Sequence, residues 1–360
     1  MDEDSVKKFK ILVINPGSTS TRTAIFESET LFADEKLDCP SEELGKLKKV
    51  IDQVPMRTRH IEGFLKRLDI KVSSLDAIAT RGGPLRPVAG GVYSVNEKML
   101  TDASSEEFIE HVSKIACVIA VKIGKSTGVP SFIVDPVSTD EYLPISRVSG
   151  LKEVPRKSMT HALNMKAVAR YHAREIGKPY EELNLITVQL GGGCSVAVHD
   201  HGRMIDSFDA NGEGPFSPER SGGLRADDLA RFVLDSGKDF REIRKKLAGG
   251  GGLMSLLGTA DAREVEKRIA NGDKEAKLCY EAMAYSTAKS ICALAASVNG
   301  KLDAVILTGG LAMSKVFTDW IVDRIKFLCE VRIIPGEHEM RALAEGAMRV
   351  LNGEEKAKTY

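Results

Sequence analysis

The sequence is short of several features that would each have settled a class of function. It has no excess charge: 51 Lys and Arg stand against 51 Asp and Glu. A chain so balanced has no overall field with which to gather a polyanion, so no nucleic-acid partner is expected. Its six cysteines, Cys39, Cys117, Cys194, Cys279, Cys292 and Cys329, are far apart and form no C-x-x-C pair. That spacing argues against a zinc cage and a redox motif, and reads as reduced thiols. The longest apolar runs, Ile115 to Val121 and Ile291 to Val298, fall far below the roughly 20 residues that span a bilayer. Met1-Asp2-Glu3-Asp4 offers no basic leader, so no membrane partner and a cytoplasmic location are expected.

Familiar catalytic signatures are missing too. No G-x-G-x-x-G occurs, which disfavours a Rossmann dinucleotide site, and no G-x-S-x-G elbow marks a serine hydrolase. Gly124-Lys125-Ser126 resembles the end of a P-loop, but Ile119 stands where the loop's first glycine belongs, so it reads as a helix terminus. His338-Glu339 is followed by Ala342 where a zinc-protease helix needs its second histidine.

What is present begins with length. A chain of 360 residues, 42% apolar, is more than one core usually organises, so two domains are expected. Lys10 to Asn15 is a strand broken by Pro16-Gly17-Ser18-Thr19-Ser20-Thr21, with a return at Thr23 to Phe26. Leu185 to Leu190 is likewise broken by Gly191-Gly192-Gly193-Cys194-Ser195, with a return at Val196 to Val198. Each reads as a strand, a Gly/Ser turn and an antiparallel strand, and the repeat at half the chain length suggests two similar domains.

Further strands are expected at Ala77 to Thr80, Ser131 to Val134, Asp303 to Leu307 and Val331 to Ile334. Helices are expected from Ser104, with a capping box at Glu107, to about Lys125; from about Ser158 to Ile176; and from about His338 to Leu351. Another should bury Leu278, Ala282, Tyr285, Ala288, Cys292 and Ala295 on one face. Apolar strands alternating with long helices describe an α/β protein. The seam is expected near Gly150 to Pro155, giving an N-terminal domain 1–155, completed by a helix at about 338–356, and a C-terminal domain 156–337. Gly249 to Gly252 reads as a mobile turn near a ligand. His199-Asp200-His201 reads as a hairpin tip, Lys48-Lys49 and Lys245-Lys246 as solvated helix faces, and Trp320 as a packing residue.

A strand ending in a Gly/Ser turn gathers backbone N–H groups without Cβ obstruction, which suits phosphate oxygens. Three such turns occur, at Asn15 to Thr21, Gly191 to Ser195 and Thr308-Gly309-Gly310, and together they point to nucleotide phosphates. The motifs Asn15-Pro16-Gly17-Ser18-Thr19-Ser20, Arg81-Gly82-Gly83, Asp135-Pro136, His161, Leu190 to Ser195 and Leu307-Thr308-Gly309-Gly310 stand in one order along nearly the whole chain. In that order the sequence resembles the acetokinase family of acetate and butyrate kinases. Pro215 to Arg225 and Gly249 to Arg263 look closer to its butyrate kinases.

The resemblance implies two similar domains of the sugar kinase, Hsc70 and actin type (ribonuclease H-like), with an interdomain cleft. It also implies ATP-dependent, Mg2+-assisted phosphorylation of a short-chain carboxylic acid, by an enzyme that forms a homo-oligomer. By position in the family pattern, Arg81 and Arg225 hold the acid and the phosphoryl group, and His161 donates a hydrogen bond to that group. Asp135 and Glu339 match its acidic positions, with Glu337 as the alternative to Glu339, and Asn15 matches its polar residue at the first turn. Asn15 and Glu339 stand on the metal side. Gly191, Gly192, Gly193, Gly309 and Gly310 would cradle phosphate and ribose, and Asp261-Ala262-Arg263 matches an adenosine-side segment.

The chemistry of the acceptor bears on the choice. A sugar kinase must deprotonate an alcohol and needs a carboxylate base, whereas an aliphatic acid with a pKa of about 4.3 is already ionised at neutral pH. The difficulty becomes bringing two anions together, and arginine's permanently charged fork answers it. The chain departs from acetate kinases in having Gln189 before the second turn where they carry histidine, and Thr160 before His161 where they carry an aromatic. The smaller Thr160 leaves room for a longer tail, so an acid of about four carbons, straight or branched, is expected, each buried methylene adding roughly 0.8 kcal/mol. The rival readings are an acetate or propionate kinase, an alcohol or sugar kinase, and a non-catalytic ATP-binding switch.

Overall fold

The computed structural model describes residues 8–360. Twelve strands are present among them: β1 (Lys10–Pro16), β2 (Ser20–Glu27), β3 (Thr30–Asp38), β4 (Ala77–Arg81), β5 (Val92–Ser94), β6 (Ser131–Val134), β7 (Asn184–Leu190), β8 (Cys194–Asp200), β9 (Arg203–Phe208), β10 (Ala304–Gly309), β11 (Glu330–Pro335) and β12 (Lys358–Thr359). They form two sheets, in the orders β12-β5-β6-β4-β1-β2-β3 and β11-β10-β7-β8-β9.

The chain divides into two compact units, one running to Thr139 and resumed by His338–Tyr360, the other Asp140–Glu337. The expected seam at Gly150 to Pro155 therefore lies within the second unit. Gly, Pro and charge do interrupt the pattern there and the segment is exposed, but the chain on either side of it is held to β9: Leu143 N–H donates to Ile205 O at 3.1 Å, and Arg156 pairs with Asp206 at 3.0 Å.

In the first unit β1 lies antiparallel to β2 and parallel to β4, which is parallel to β6. These central strands are apolar because both faces are covered. Helices Val54–Arg67 and Ala116–Gly124 bury Ile61, Phe64, Ile119 and Ile123 with Leu12, Ile14 and Ile78. Helix Glu339–Leu351 packs on β1, β4 and β6, and buries Leu343, Ala344 and Ala347.

The second unit repeats the arrangement: β7 is antiparallel to β8 and parallel to β10, which is parallel to β11. The order β6-β4-β1-β2-β3 thus matches β11-β10-β7-β8-β9 strand for strand. The likeness extends to an irregularity in each second strand, between Ile25 and Phe26 and between Val198 and His199. One core joins β7, β8 and β10 to helices Lys274–Ala295 and Lys315–Ile325; Trp320 packs against it, edge-on to Tyr280 at 5.9 Å. A second core lies under helix Ala162–Glu175.

Several local expectations are corrected. Ser104 ends a helix, Glu97–Ser104, where it was expected to start one; its Oγ donates back to Leu100 O at 2.9 Å, and helix resumes only with a 3-10 turn at Val112–Ile115 that leads into the α-helix at Ala116. The true cap is Asn96, which accepts from Met99 N–H at 3.0 Å. The next helix starts at Ala162, later than Ser158, with His161 at its N-cap. On Lys274–Ala295 the buried stripe runs through Ala276, Tyr280, Met283, Thr287, Ile291 and Leu294, while Leu278 and Tyr285 are exposed. Of the expected stripe Ala288 and Ala295 are buried and Ala282 and Cys292 partly so; the apolar residues of that helix exceed one face, so spacing alone fixed the stripe only in part. Lys48 and Lys49 precede a short helical turn, and Lys49 pairs with Glu106 at 2.5 Å. Gly249 to Gly252 is packed against Ser217 to Ser221: Gly249 N–H donates to Glu219 O at 2.7 Å and Ser221 N–H to Leu247 O at 3.0 Å.

Candidate active site

In the first unit three of the singled-out residues meet. Asn15 is the penultimate residue of β1, Arg81 the last of β4, the strand beside it, and Glu339 the first of helix Glu339–Leu351. Glu339 Oε2 accepts from Asn15 Nδ2 at 2.7 Å and from Arg81 Nη1 at 3.1 Å. The Arg81 side chain is 23% exposed.

Gly82 and Gly83 are required by close approach: a Cβ on Gly82 would stand 2.3 Å from Pro136 Cβ, and one on Gly83 2.4 Å from Lys114 Cα. The Arg-Gly-Gly and Asp-Pro motifs therefore pack on each other. Asp135 is buried in a left-handed conformation, φ 36°, and accepts from Gly91 N–H through Oδ1 at 2.7 Å. Its carboxylate serves that backbone contact, on the side of the first-unit sheet where β5 adjoins β6.

In the second unit a second group gathers at the ends of β7, β8 and β10. His161 Nδ1 lies 3.0 Å from Ser195 Oγ, the first serine of β8. Asn164, one turn along the same helix, donates from Nδ2 to Gln189 Oε1 at 2.6 Å and reaches Thr308 Oγ1 at 3.4 Å. Gln189 thus acts as an acceptor, tied to β10 through Asn164. Gly309 has φ 94°, and a Cβ there would stand 2.3 Å from Leu190 O, so only glycine fits the crossing of these strand ends. Gly310 opens the short turn Gly310–Met313. Thr160 is buried and its hydroxyl has no partner.

The turn Gly191 to Gly193 is held from one side by Ser217 Oγ and Glu219 N–H, both donating to Gly192 O, at 2.7 and 3.0 Å. Those bonds bring Arg220 to the turn, its Nε 3.8 Å from where a Cβ on Gly193 would stand; that Nε is buried and has no hydrogen-bond partner. Arg225 stands apart at the N-cap of helix Ala226–Ser236, its side chain 83% exposed and paired with Asp228 at 3.5 Å. It forms part of the wall of an apolar groove of about 620 Å³ that includes Phe216, Leu224, Phe232 and Leu247. Asp261 caps helix Ala262–Ala270 and grips Arg263 through two oxygens, at 2.7 and 3.0 Å. Those hydrogen bonds push the Asp261 carboxyl down to about 2. Burial pushes Asp209 the other way, above the usual carboxylate range.

Magnesium takes oxygen ligands, keeps several waters, and needs one or two carboxylates besides substrate phosphates. Glu339, a carboxylate to which the Asn15 amide donates, and the Asn15 carboxamide oxygen are of the oxygen type that such an ion would take. No cluster of three His, Cys, Asp or Glu side chains suited to a metal occurs among the described residues, His199 and His201 included. His199 faces Tyr180 and Thr187 in the interior, and His201 pairs with Asp200.

Sequence reasoning missed three polar residues here. Asn164 was hidden as one amide in a helix. Arg220 was read only as part of a motif. Arg57, wholly buried under the first turn, carried a readable signal: an arginine on the apolar stripe of Val54, Ile61 and Leu65.

The chain matches the sequence model of the Acetokinase family over residues 144–331. It is 46% identical over 354 residues to Butyrate kinase 2 of Clostridium acetobutylicum, covering 98% of this chain and 99% of that protein. Among solved structures it is similar to the acetate kinase of Porphyromonas gingivalis, with TM-score 0.78 and 18% identity over 95% of this chain and 100% of that one. It is also similar to the acetate kinase of Entamoeba histolytica, with TM-score 0.76 and 16% identity over 94% and 99% of the two chains. At that identity the structural likeness speaks for the fold.

Proposed function

The chain belongs to the acetokinase family, and from that premise we propose that it phosphorylates a four-carbon fatty acid, butanoate or its branched isomer, with ATP. Butanoate and ATP give butanoyl phosphate and ADP: a carboxylate oxygen bonds to the γ-phosphorus as the bond from that phosphorus to the β,γ-bridging oxygen breaks. No proton moves, so no base is required. The observation that carries this reading is the full-length match to a butyrate kinase, and the unpartnered, small Thr160 beside His161 supports the longer acid.

In this reading the first unit handles the acid and the transferred group. Arg81, steered by Glu339, offers its free N–H groups to the incoming carboxylate and phosphoryl oxygens, and Asp135 holds the adjoining backbone. The second unit holds the nucleotide on the Gly191 to Gly193 and Gly309-Gly310 turns, with His161 donating to the phosphoryl group and Asp261 and Arg263 on the adenosine side. The second cation is Arg220 or Arg225. The buried, partnerless Nε of Arg220 beside the turn favours Arg220. Glu339 and Asn15 would hold the magnesium ion, which when bound neutralises β- and γ-phosphate charge. The enzyme works in the cytoplasm, where ATP is supplied, and as a homo-oligomer, which light scattering of the purified protein reads directly.

The test is acyl phosphate formation, trapped with hydroxylamine, across C2 to C6 acids with Mg-ATP. A maximum of kcat/KM at four carbons is expected. Equal or better kcat/KM with acetate would overturn the chain-length assignment, and the absence of hydroxamate with every acid of the panel would overturn the reaction.

A further inference from the structure

Arg57 is 0% exposed, on helix Val54–Arg67 beneath the turn between β1 and β2. All five of its N–H groups are used, and every acceptor is neutral: Nε donates to Gln53 Oε1 at 3.0 Å, Nη1 to Ser20 O at 2.9 Å and Thr21 Oγ1 at 2.7 Å, and Nη2 to Gly17 O at 2.9 Å and Ser18 O at 3.3 Å. Cys39 acts electrostatically on Arg57, but burial pushes its thiol up, so it supplies no anion. A buried cation without a counter-ion is costly, and a protein that keeps one has either a structural or a ligand-directed reason for it.

The direction of the carbonyls separates these. In a trans peptide the C=O of one residue and the N–H of the next point opposite ways. With Gly17 O and Ser18 O turned toward Arg57, the N–H groups of Ser18 and Thr19 point away from it, and both residues lie at the surface. The guanidinium therefore aims two amides outward and backs them with a positive charge that none of its hydrogen-bond partners cancels.

We infer that Arg57 is a positioning residue for an anion at the β1–β2 turn, and that a phosphate group of the ligand is its missing counter-ion. This rests on the reading of that turn as a phosphate site.

The test neutralises the charge without removing its hydrogen bonds. Gln53→Glu is nearly isosteric and keeps the Nε contact while placing a carboxylate beside Arg57. Calorimetric binding of inorganic phosphate and of Mg-ATP is measured on the full-length protein, alongside thermal unfolding and kcat/KM. Gln53→Glu should raise the Tm of the unliganded protein yet weaken binding of both probes about tenfold. Arg57→Lys, which keeps the charge with fewer donors, should retain more binding than Arg57→Met.

A purely structural role would let Gln53→Glu stabilise the fold with binding and kcat/KM unchanged, and that result overturns the inference, as does wild-type protein that binds neither probe. Equal loss in folded Arg57→Lys and Arg57→Met also overturns it; should Arg57→Met not fold, Gln53→Glu decides alone. Binding does not depend on turnover, so an acid panel that fails while Gln53→Glu weakens phosphate binding sinks the proposed reaction and leaves this inference standing.

Discussion

The turn after β1 and the turn after β7 join strands of the same order and direction, yet they are held in different ways. The first rests on one charged side chain reaching up from a helix, with five hydrogen bonds to neutral oxygens. The hydrogen bonds and close contacts that hold the second come from neutral groups, the Gly309 crossing against Leu190, the Asn164 to Gln189 bond, and Ser217 and Glu219 N–H on Gly192 O, while the charged Arg220 lies beside the turn without bonding to it. In the first arrangement the buried charge itself makes the supporting bonds, whereas the second relies on close backbone packing. A common backbone pattern thus leaves open whether charge or shape supports it, and substitutions separate the two.

The largest contrast should come from glycine. Gly309→Ala forces a Cβ into Leu190 O at a positive φ, and a loss above about 3 kcal/mol is expected from urea unfolding. At the first turn a Cβ on Gly17 would meet Ser20 O at 3.5 Å, ordinary contact, so Gly17→Ala should cost under about 1 kcal/mol. Similar losses in the two variants would erase the distinction between the turns.

Next in size are the arginines. Arg81→Ala and Arg220→Ala should each lower kcat at least about 100-fold with the fold intact, the scale of a lost electrostatic contact in the transition state. Arg225→Ala should lower it less, since its side chain lies mostly in solvent. The reverse order in steady-state kinetics would move the second cation from the turn to the groove.

Smaller again is Gln189→Leu, which takes the acceptor from the buried Asn164 amide and should cost about 1 to 3 kcal/mol. Thr21→Val removes one of two acceptors of Arg57 Nη1 and should cost about 1 kcal/mol. Denaturant midpoints compare the pair directly.

Smallest is Asp261→Asn. The Asp261 carboxyl is held down to about 2 by Arg263, so its folded pKa lies below its unfolded one. Whatever stability it adds is complete above the unfolded value of about 3.9 and is lost as pH falls toward 2. Between pH 5 and 8 the wild-type and variant Tm curves should run parallel and close together, while KM for Mg-ATP rises if the residue serves the adenosine side. A difference in Tm that changes across that pH range would contradict the assignment of its pKa.

Much of the architecture was legible because its signals are local. The strand, Gly/Ser turn and returning strand at Asn15 and at Gly191 are written in consecutive residues, and so is the alternation of apolar strands with helices. The Arg-Gly-Gly and Asp-Pro motifs were visible as motifs, but not that Gly82 lies against Pro136, a contact between residues more than fifty positions apart. The error at Ser104 has the same origin. Ser-x-x-Glu fits a helix start, but Asn96 caps an earlier helix that reaches Ser104 and uses its hydroxyl to bond backward.

By itself, then, the amino-acid order determined the type of each central strand, the duplication, the three glycine turns and the family resemblance, because backbone preference and hydrophobic pattern act over a few residues. Only the tertiary structure decided that Asn15, Arg81 and Glu339 share one carboxylate oxygen, that Arg220 lies at the turn while Arg225 faces solvent, and that Arg57 is a cation with no anion of its own. Charge pairing and burial depend on distances between residues far apart along the chain, and those distances exist only once the sheets are assembled.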